Sequence, residues 1–282
     1  MRLFYTILIL CLFSSCSSSY PISSKLGEVS GIETQSRDIF FAINDSGEDP
    51  VLYIMKSDGI IFHKIFIQGA KNIDWEDLSS DDDFLYIGDI GNNRNQRKDL
   101  KIYRVQINDL LEYYIDGELN HNLPDTLKAQ SYAFNYPDQI NFPPEESRMN
   151  FDSEALAYAD GKLLILSKDR SKPYKGICKI YEVDLSIKPP KTKLLQETQL
   201  KGVSWLTGSV TGCDYLNNQL YVLTYKRLYI FERTKGQFKL LRKKNLGRLQ
   251  QWEGISVESE SEVRIVAEKS RLGKQKMKII KL

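Results

Sequence analysis

A three-residue motif recurs five times along the chain, and each copy opens the same run of short alternating strands. The copies are Ser30-Gly31-Ile32, Glu76-Asp77-Leu78, Glu154-Ala155-Leu156, Thr211-Gly212-Cys213 and Glu253-Gly254-Ile255. A polar turn and a second strand follow each, at 39–43, 84–88, 163–166, 220–224 and 263–267. Third strands read at 51–55, 101–105, 179–183, 227–231 and 276–282, and fourth strands at 60–67, 130–136, 193–200 and 238–245. Asp160-Gly161 and Asn217-Asn218 supply residues that tolerate positive φ, so they mark tight hairpins inside two copies. A unit of this size cannot cover both of its faces alone, so neighbouring units must pack on one another.

The fifth unit runs out of chain after its third strand. The missing strand is expected from residues 20–26, which precede the first motif. Borrowing it closes a ring and removes exposed sheet edges. The fold class is therefore all-β, a β-propeller of five four-stranded blades. Motif spacings of 46, 78, 57 and 42 residues put an insertion of about 108–127 in the long interval, with a further segment at 137–144. A sixth, divergent blade in that interval is the alternative. Residues 110–115 are expected to form a helical turn there. No Gly-, Ser- or Pro-rich linker divides residues 16–282, so they form one domain.

Composition agrees with a packed, strand-rich domain. The chain is 41% hydrophobic and 27% charged, which argues against disorder, and 16 Tyr with 12 Phe suit pleated surfaces. A net charge of +2, without a concentrated basic arm, gives no nucleic-acid footprint.

The first residues read as a targeting segment. Arg2 precedes an apolar run at 3–13, shorter than the roughly 20 residues that span a bilayer. The run ends in Phe13-Ser14-Ser15-Cys16 and resembles a bacterial lipoprotein signal, with residues 1–15 removed and Cys16 lipidated. Phe13 stands where Leu is usual, and an ordinary secretory signal cut near Ser15 is the alternative. No Asp follows Cys16, which favours the outer membrane of the envelope over the inner. Cys213 falls where other units carry Ile or Leu, so it and Cys178 are expected in the core rather than in a disulfide.

Trp75-Glu76-Asp77, the run Tyr86-Ile87-Gly88-Asp89-Ile90-Gly91-Asn92-Asn93 and the run Asn150-Phe151-Asp152-Ser153-Glu154-Ala155-Leu156 resemble an uncharacterised family of exported bacterial propeller lipoproteins. Asn44-Asp45-Ser46-Gly47 and Lys168-Asp169-Arg170-Ser171 belong to the same pattern. More distantly the chain is similar to SdiA-regulated proteins, esterase-like phytases and gluconolactonase-type propellers. That likeness carries a fold more firmly than an activity.

In a propeller, the start of each inner strand and the loop between second and third strands meet at one end of the central channel. Glu76, Glu154 and Glu253, with Ser30 and Thr211 at equivalent places, are expected there. So are Asn44, Asp45, Asp89, Asn92, Lys168, Arg170, Lys226, Glu268 and Lys269. Converging carboxylates repel unless a cation is shared among them. Oxygen donors suit calcium or magnesium, and with only His63 and His121 present a His-rich transition-metal site is excluded. The metal candidates are Asn44, Glu76, Asp89, Asn92, Glu154 and Glu253; lactonase-type propellers hold a metal in the channel mouth in this way. A purely structural reading stands beside it, with the carboxylates accepting backbone N–H groups and the lysines neutralising them. The loop at 91–99 offers Arg94, Arg97 and Lys98 to an anion or simply to solvent, and Trp75, Trp205 and Trp252 offer a sugar platform or packing between units.

No G-x-S-x-G, H-E-x-x-H or Gly-rich phosphate loop is present. Two function classes remain. The first is a lipid-anchored, monomeric binding or scaffolding module whose polar channel face meets a glycan, peptide or envelope protein. The second is a calcium- or magnesium-dependent hydrolase of an ester, lactone or phosphoester. There Glu76 or Glu154 is the base, and Lys168 or Arg170 steadies negative charge.

Overall fold

The computed structural model describes residues 19–36, 38–107, 110, 114–115, 118–119, 123–200, 202 and 204–282. The expected signal segment, Cys16 and His121 lie outside the described residues. After β1 (Ser19–Pro21), the first unit is β2 (Val29–Ser36), β3 (Ile39–Asn44), β4 (Val51–Lys56) and β5 (Ile61–Gln68). The second is β6 (Trp75–Ser80), β7 (Phe84–Asp89), β8 (Lys101–Gln106), a small hairpin of β9 (Tyr114–Ile115) and β10 (Glu118–Leu119), then β11 (Thr126–Ala133). The third is β12 (Asp152–Ala159), β13 (Lys162–Lys168), β14 (Ile177–Asp184) and β15 (Lys191–Gln199). The fourth is β16 (Val210–Leu216), β17 (Gln219–Thr224), β18 (Arg227–Thr234) and β19 (Gln237–Asn245). The fifth is β20 (Trp252–Ser259), β21 (Glu262–Ala267) and β22 (Lys276–Lys281).

Each unit is an antiparallel sheet, and the first two share an edge through parallel pairing of β5 with β11. The inner strands follow one another around a ring, β2 beside β6, then β12, β16, β20 and back to β2. The chain is an all-β propeller. Closure comes from β1 on β22, with Tyr20 opposite Met277. The closing strand is shorter than the expected 20–26, because Ser24–Leu26 turns as a 3-10 helix and drops Leu26 into the core. β11 begins inside the expected insertion, and Tyr114–Ile115, expected in a helical turn, is strand. Among the described residues no helix is long and apolar enough to cross a membrane.

Position in the ring explains the sequence patterns. The second strand of each unit is covered on both faces, so β3, β7, β13, β17 and β21 are almost wholly buried and read as continuous apolar runs. Outer strands such as β15 alternate between partly covered and exposed positions. The tight hairpins form where the sequence marks them: Asp160 and Gly161, and Asn217 and Asn218, all take positive φ.

One irregularity is shared by all five inner strands. Pairing slips between Val29 and Gly31, Trp75 and Asp77, Ser153 and Ala155, Val210 and Gly212, and Trp252 and Gly254. The residue skipped each time is the first of the recurring motif: Ser30, Glu76, Glu154, Thr211 or Glu253. A bulge leaves its residue outside the ladder and re-aims the side chain. The motif is therefore the sequence trace of a bulge at the entrance of each inner strand.

Residues just past the bulge meet at the centre. Asp77 is fully buried, and its carboxylate accepts from Leu156 N of the third unit at 2.9 Å and Cys213 N of the fourth at 3.2 Å. Glycine fills the equivalent place in three other units because the strands nearly touch. A Cβ at Gly212 would lie 2.7 Å from Glu253 O, and Gly31 packs against Asp77 itself. Cys178 and Cys213 are buried free thiols.

Candidate functional site

At the channel mouth the bulged residues divide by chemistry. Ser30 Oγ donates to Trp75 O of the next unit at 2.9 Å, and Thr211 Oγ1 donates to Trp252 O at 2.6 Å. The hydroxyl positions therefore stitch neighbours together. The glutamates at the other three positions turn toward the channel.

Two groups of carboxylates meet there, and Glu76 belongs to both. One oxygen each of Asp45, Asp74 and Glu76 lie within 4.8 Å of one another, as do one each of Glu76, Asp152 and Glu154. Asp45 lies just past β3, Asp74 just before β6, and Asp152 opens β12, so three units contribute. Gly91 makes room: a Cβ there would sit 2.2 Å from Glu76 Oε1 and 2.4 Å from the Asp74 carboxyl.

The two groups differ in their counter-charges. Lys168, at the end of β13, places Nζ 2.7 Å from Glu154 Oε2 and donates to Tyr225 OH at 3.2 Å. Arg170 reaches Asp152 Oδ2 at 2.6 Å and Glu154 Oε1 at 3.1 Å. Burial opposes ionisation of Glu154, but Lys168 and Arg170 outweigh it and hold its pKa below the usual value. Asp152 is pushed up to about 6 by burial and by Glu154, despite Arg170.

Asp45, Asp74 and Glu76 make no ion pair among the described residues. Glu76 is only 7% exposed, and its acid is pushed well up by burial and then by Glu154, Asp45 and Asp74. Burial, with Asp45 and Asp152 beside it, raises Asp74 to about 7. Asp45 is raised by burial as well, with Glu154 adding to the rise. Half of the mouth is neutralised internally, and the other half is a set of oxygen donors with no lysine or arginine paired to it among the described residues.

The remaining expected residues fall around this centre. Glu253 faces Lys168 and Tyr225, and its acid is pushed well up by burial, with Glu154 and Glu268 adding to the rise against Lys168. Burial and Glu28 raise Glu268 to about 7. Asn44 donates to Lys25 O and to Glu48, each at 2.8 Å. Asp89 is held by Arg97 at 2.9 Å and accepts from Asp74 N at 3.1 Å, one layer behind the mouth. Asn92 caps its own loop, accepting from Gln96 N and Arg97 N and donating to Phe151 O. Asp89 and Glu253 stand outside both carboxylate groups, while Asn44 Oδ1 and Asp89 Oδ2 are buried acceptors without a hydrogen-bond partner among the described residues. Lys226 donates to Gly247 O, away from the mouth. In the loop at 91–99, Arg97 is taken by Asp89 and Asp99. Trp75 and Trp252 are buried between units, whereas Trp205 is 53% exposed.

Asp74, Asp152 and Tyr225 belong to the centre without having stood out as candidates. Their signal was present as Asp-x-Glu at 74–76 and 152–154, an acid two residues before the motif, which the strand period returns to the same end.

Neither a protein-family model nor a curated sequence relative matches the chain. Among solved structures, the glutaminyl cyclase of Myxococcus xanthus matches at a TM-score of 0.53 and 13% identity, covering 93% of this chain and 94% of that one. The WD40 β-propeller domain of Doa1 matches at 0.43 and 13%, over 89% and 62%. Virginiamycin B lyase from Staphylococcus aureus matches at 0.43 and 11%, over 93% and 69%. At 13% identity the likeness to the glutaminyl cyclase speaks to the fold alone.

Proposed function

We propose that the propeller is a binding module whose channel mouth seats a divalent cation, calcium or magnesium, on Asp45, Asp74 and Glu76. Through that cation and the flanking Lys168 and Arg170 it holds a glycan, peptide or envelope protein, with lipid on Cys16 tethering it to the envelope. The observation that carries the reading is the uncompensated half of the mouth. Three carboxylates converge on one another while both nearby cations are already paired to Glu154 and Asp152. Hard oxygen donors of this kind fit calcium or magnesium. Calorimetric titration with each ion at pH 8 tests it. One site is expected, weaker at pH 6 because protons compete at Asp74, and lost in Asp74→Asn and Glu76→Gln. Absence of binding at either pH overturns the proposal.

A second reading, a hydrolase of an ester, lactone or phosphoester, is favoured by one further feature of the same mouth. Asp152 at about 6 and Asp74 at about 7 exchange protons near neutrality, next to a buried ammonium and the Tyr225 hydroxyl. When bound, a cation there supplies electrophilic polarisation. Cation-dependent turnover of a lactone, ester or phosphoester panel that Glu154→Gln abolishes supports it, and no turnover with the ion bound leaves the binding module.

A further inference from the structure

The near-neutral net charge conceals a strong segregation. Residues 226–248 hold nine Lys and Arg against one acid, and residues 269–282 hold six against none, in a chain whose total is +2. The two stretches belong to the fourth and fifth units, and residues of both line a cleft. Its volume is about 390 Å³, and it is lined by Arg248, Gln250, Trp252, Lys276 and Lys278, with Leu246 and Leu272 as apolar walls and Ser19 on its rim. None of its lining residues is acidic.

Two buried donors in this cleft lack acceptors among the described residues: Gln250 Nε2 and Trp252 Nε1. Both side chains are at least nine-tenths buried. Lys276 Nζ donates to Gln250 Oε1 at 3.1 Å, which fixes the amide with its oxygen on the ammonium and leaves the NH₂ without a partner. Gly273 accommodates that NH₂, since a Cβ there would lie 2.5 Å from it. Lys276 and Lys278 stand 5.4 and 5.9 Å from the centre of the Trp252 ring, which brings both ammonium groups to the indole. A buried donor left unpaired is costly, and two of them beside three cationic side chains call for an acceptor with several negative oxygens.

We infer that this cleft binds a phosphoryl group, held by Arg248, Lys276 and Lys278 with the Gln250 amide and the Trp252 indole N–H as neutral donors. The group comes either from a phospholipid headgroup or from a phosphate in solution. Ser19 on the rim is three residues beyond Cys16, so an anchor there holds the cleft close to headgroups.

Two arms distinguish the sources, each using the full chain carrying Cys16→Ser so that no acyl chain drives binding. The first titrates inorganic phosphate against chloride at matched ionic strength, followed by indole fluorescence. The second compares sedimentation with phosphatidylglycerol and phosphatidylcholine vesicles. Arg248→Gln on the exposed rim, Lys276→Gln and Trp252→Phe are each expected to weaken the interaction about tenfold, with the cation titration at the channel mouth unchanged. Saturable phosphate binding that these variants lose supports the site with a soluble ligand. Binding to phosphatidylglycerol vesicles alone, lost in the same variants, supports it with a lipid one. If phosphate and chloride act alike and vesicle binding is absent, or if Arg248→Gln and Trp252→Phe bind as the parent does, the inference is overturned.

Discussion

Glu76 and Asp77 are adjacent acids in one strand, and they belong to two regions with opposite physics. Asp77 points to the centre of the ring, where its oxygens accept backbone N–H groups from β6, β12 and β16. Glu76 occupies the bulge beside it and points to the mouth, among four other carboxylates, and makes no ion pair among the described residues. The centre is a satisfied clasp, and the mouth is left unsatisfied. Burial alone does not separate the two residues, because both acids are pushed well up by it. What separates them is the presence or absence of donors.

The sharpest test of the contrast lies in the clasp. Asp77→Ala strands three buried N–H groups, one in each of three units, and is expected to lower unfolding free energy by about 4 kcal/mol, read by urea titration. Glu154→Gln, which leaves the Lys168 ammonium without its carboxylate, is expected to cost about 3 kcal/mol in the same measurement. Thr211→Val removes one stitch between units and is expected to cost about 1 kcal/mol, with cation binding untouched. Glu76→Gln should instead gain about 1 kcal/mol, because it removes an acid that must take up a proton to be buried without a cation, and it should abolish cation binding. A loss of stability in Glu76→Gln as large as that in Asp77→Ala would erase the distinction between clasp and mouth.

Acidity probes the same contrast with a smaller effect per group. Asp74 and Asp214, each held up to about 7, and Asp152, at about 6, keep their protons longer in the folded chain than in the unfolded one. Their contribution to stability is complete below the ordinary carboxylate range and is lost as pH rises through about 6 to 7. Melting temperature without divalent ions should therefore fall between pH 5 and pH 8. Calcium should reduce that fall, since it replaces the departing protons at Asp74 and its neighbours. An equal fall with and without calcium contradicts a cation at the mouth.

The ring was legible because each unit repeats one motif, and the motif is the chemical trace of a bulge. The hairpins at 160–161 and 217–218 were legible because Asp, Asn and Gly tolerate positive φ. The Lys235-Gly236 turn was not, since Lys at φ 52° carries no such signal. At the site, Glu76 and Glu154 were readable from their common place in the repeat. Asn44, Asp89 and Asn92 share that end of the channel, where Arg97 holds one oxygen of Asp89 and Asn92 caps its own loop, partners that no spacing reveals. Asp74 and Asp152 were hidden because they stand two residues before the motif. Lys276 and Lys278, in the last strand, reach Trp252 only through the pairing of β20, β21 and β22. A net charge of +2 gives no hint of that basic cleft.

The most direct measurement is anomalous diffraction from crystals grown with manganese, a stand-in for magnesium or calcium that scatters distinctively. The account predicts a peak bounded by Asp45, Asp74 and Glu76, absent from Glu76→Gln crystals and retained in Thr211→Val. No peak there in the parent protein, or one that survives Glu76→Gln, contradicts it.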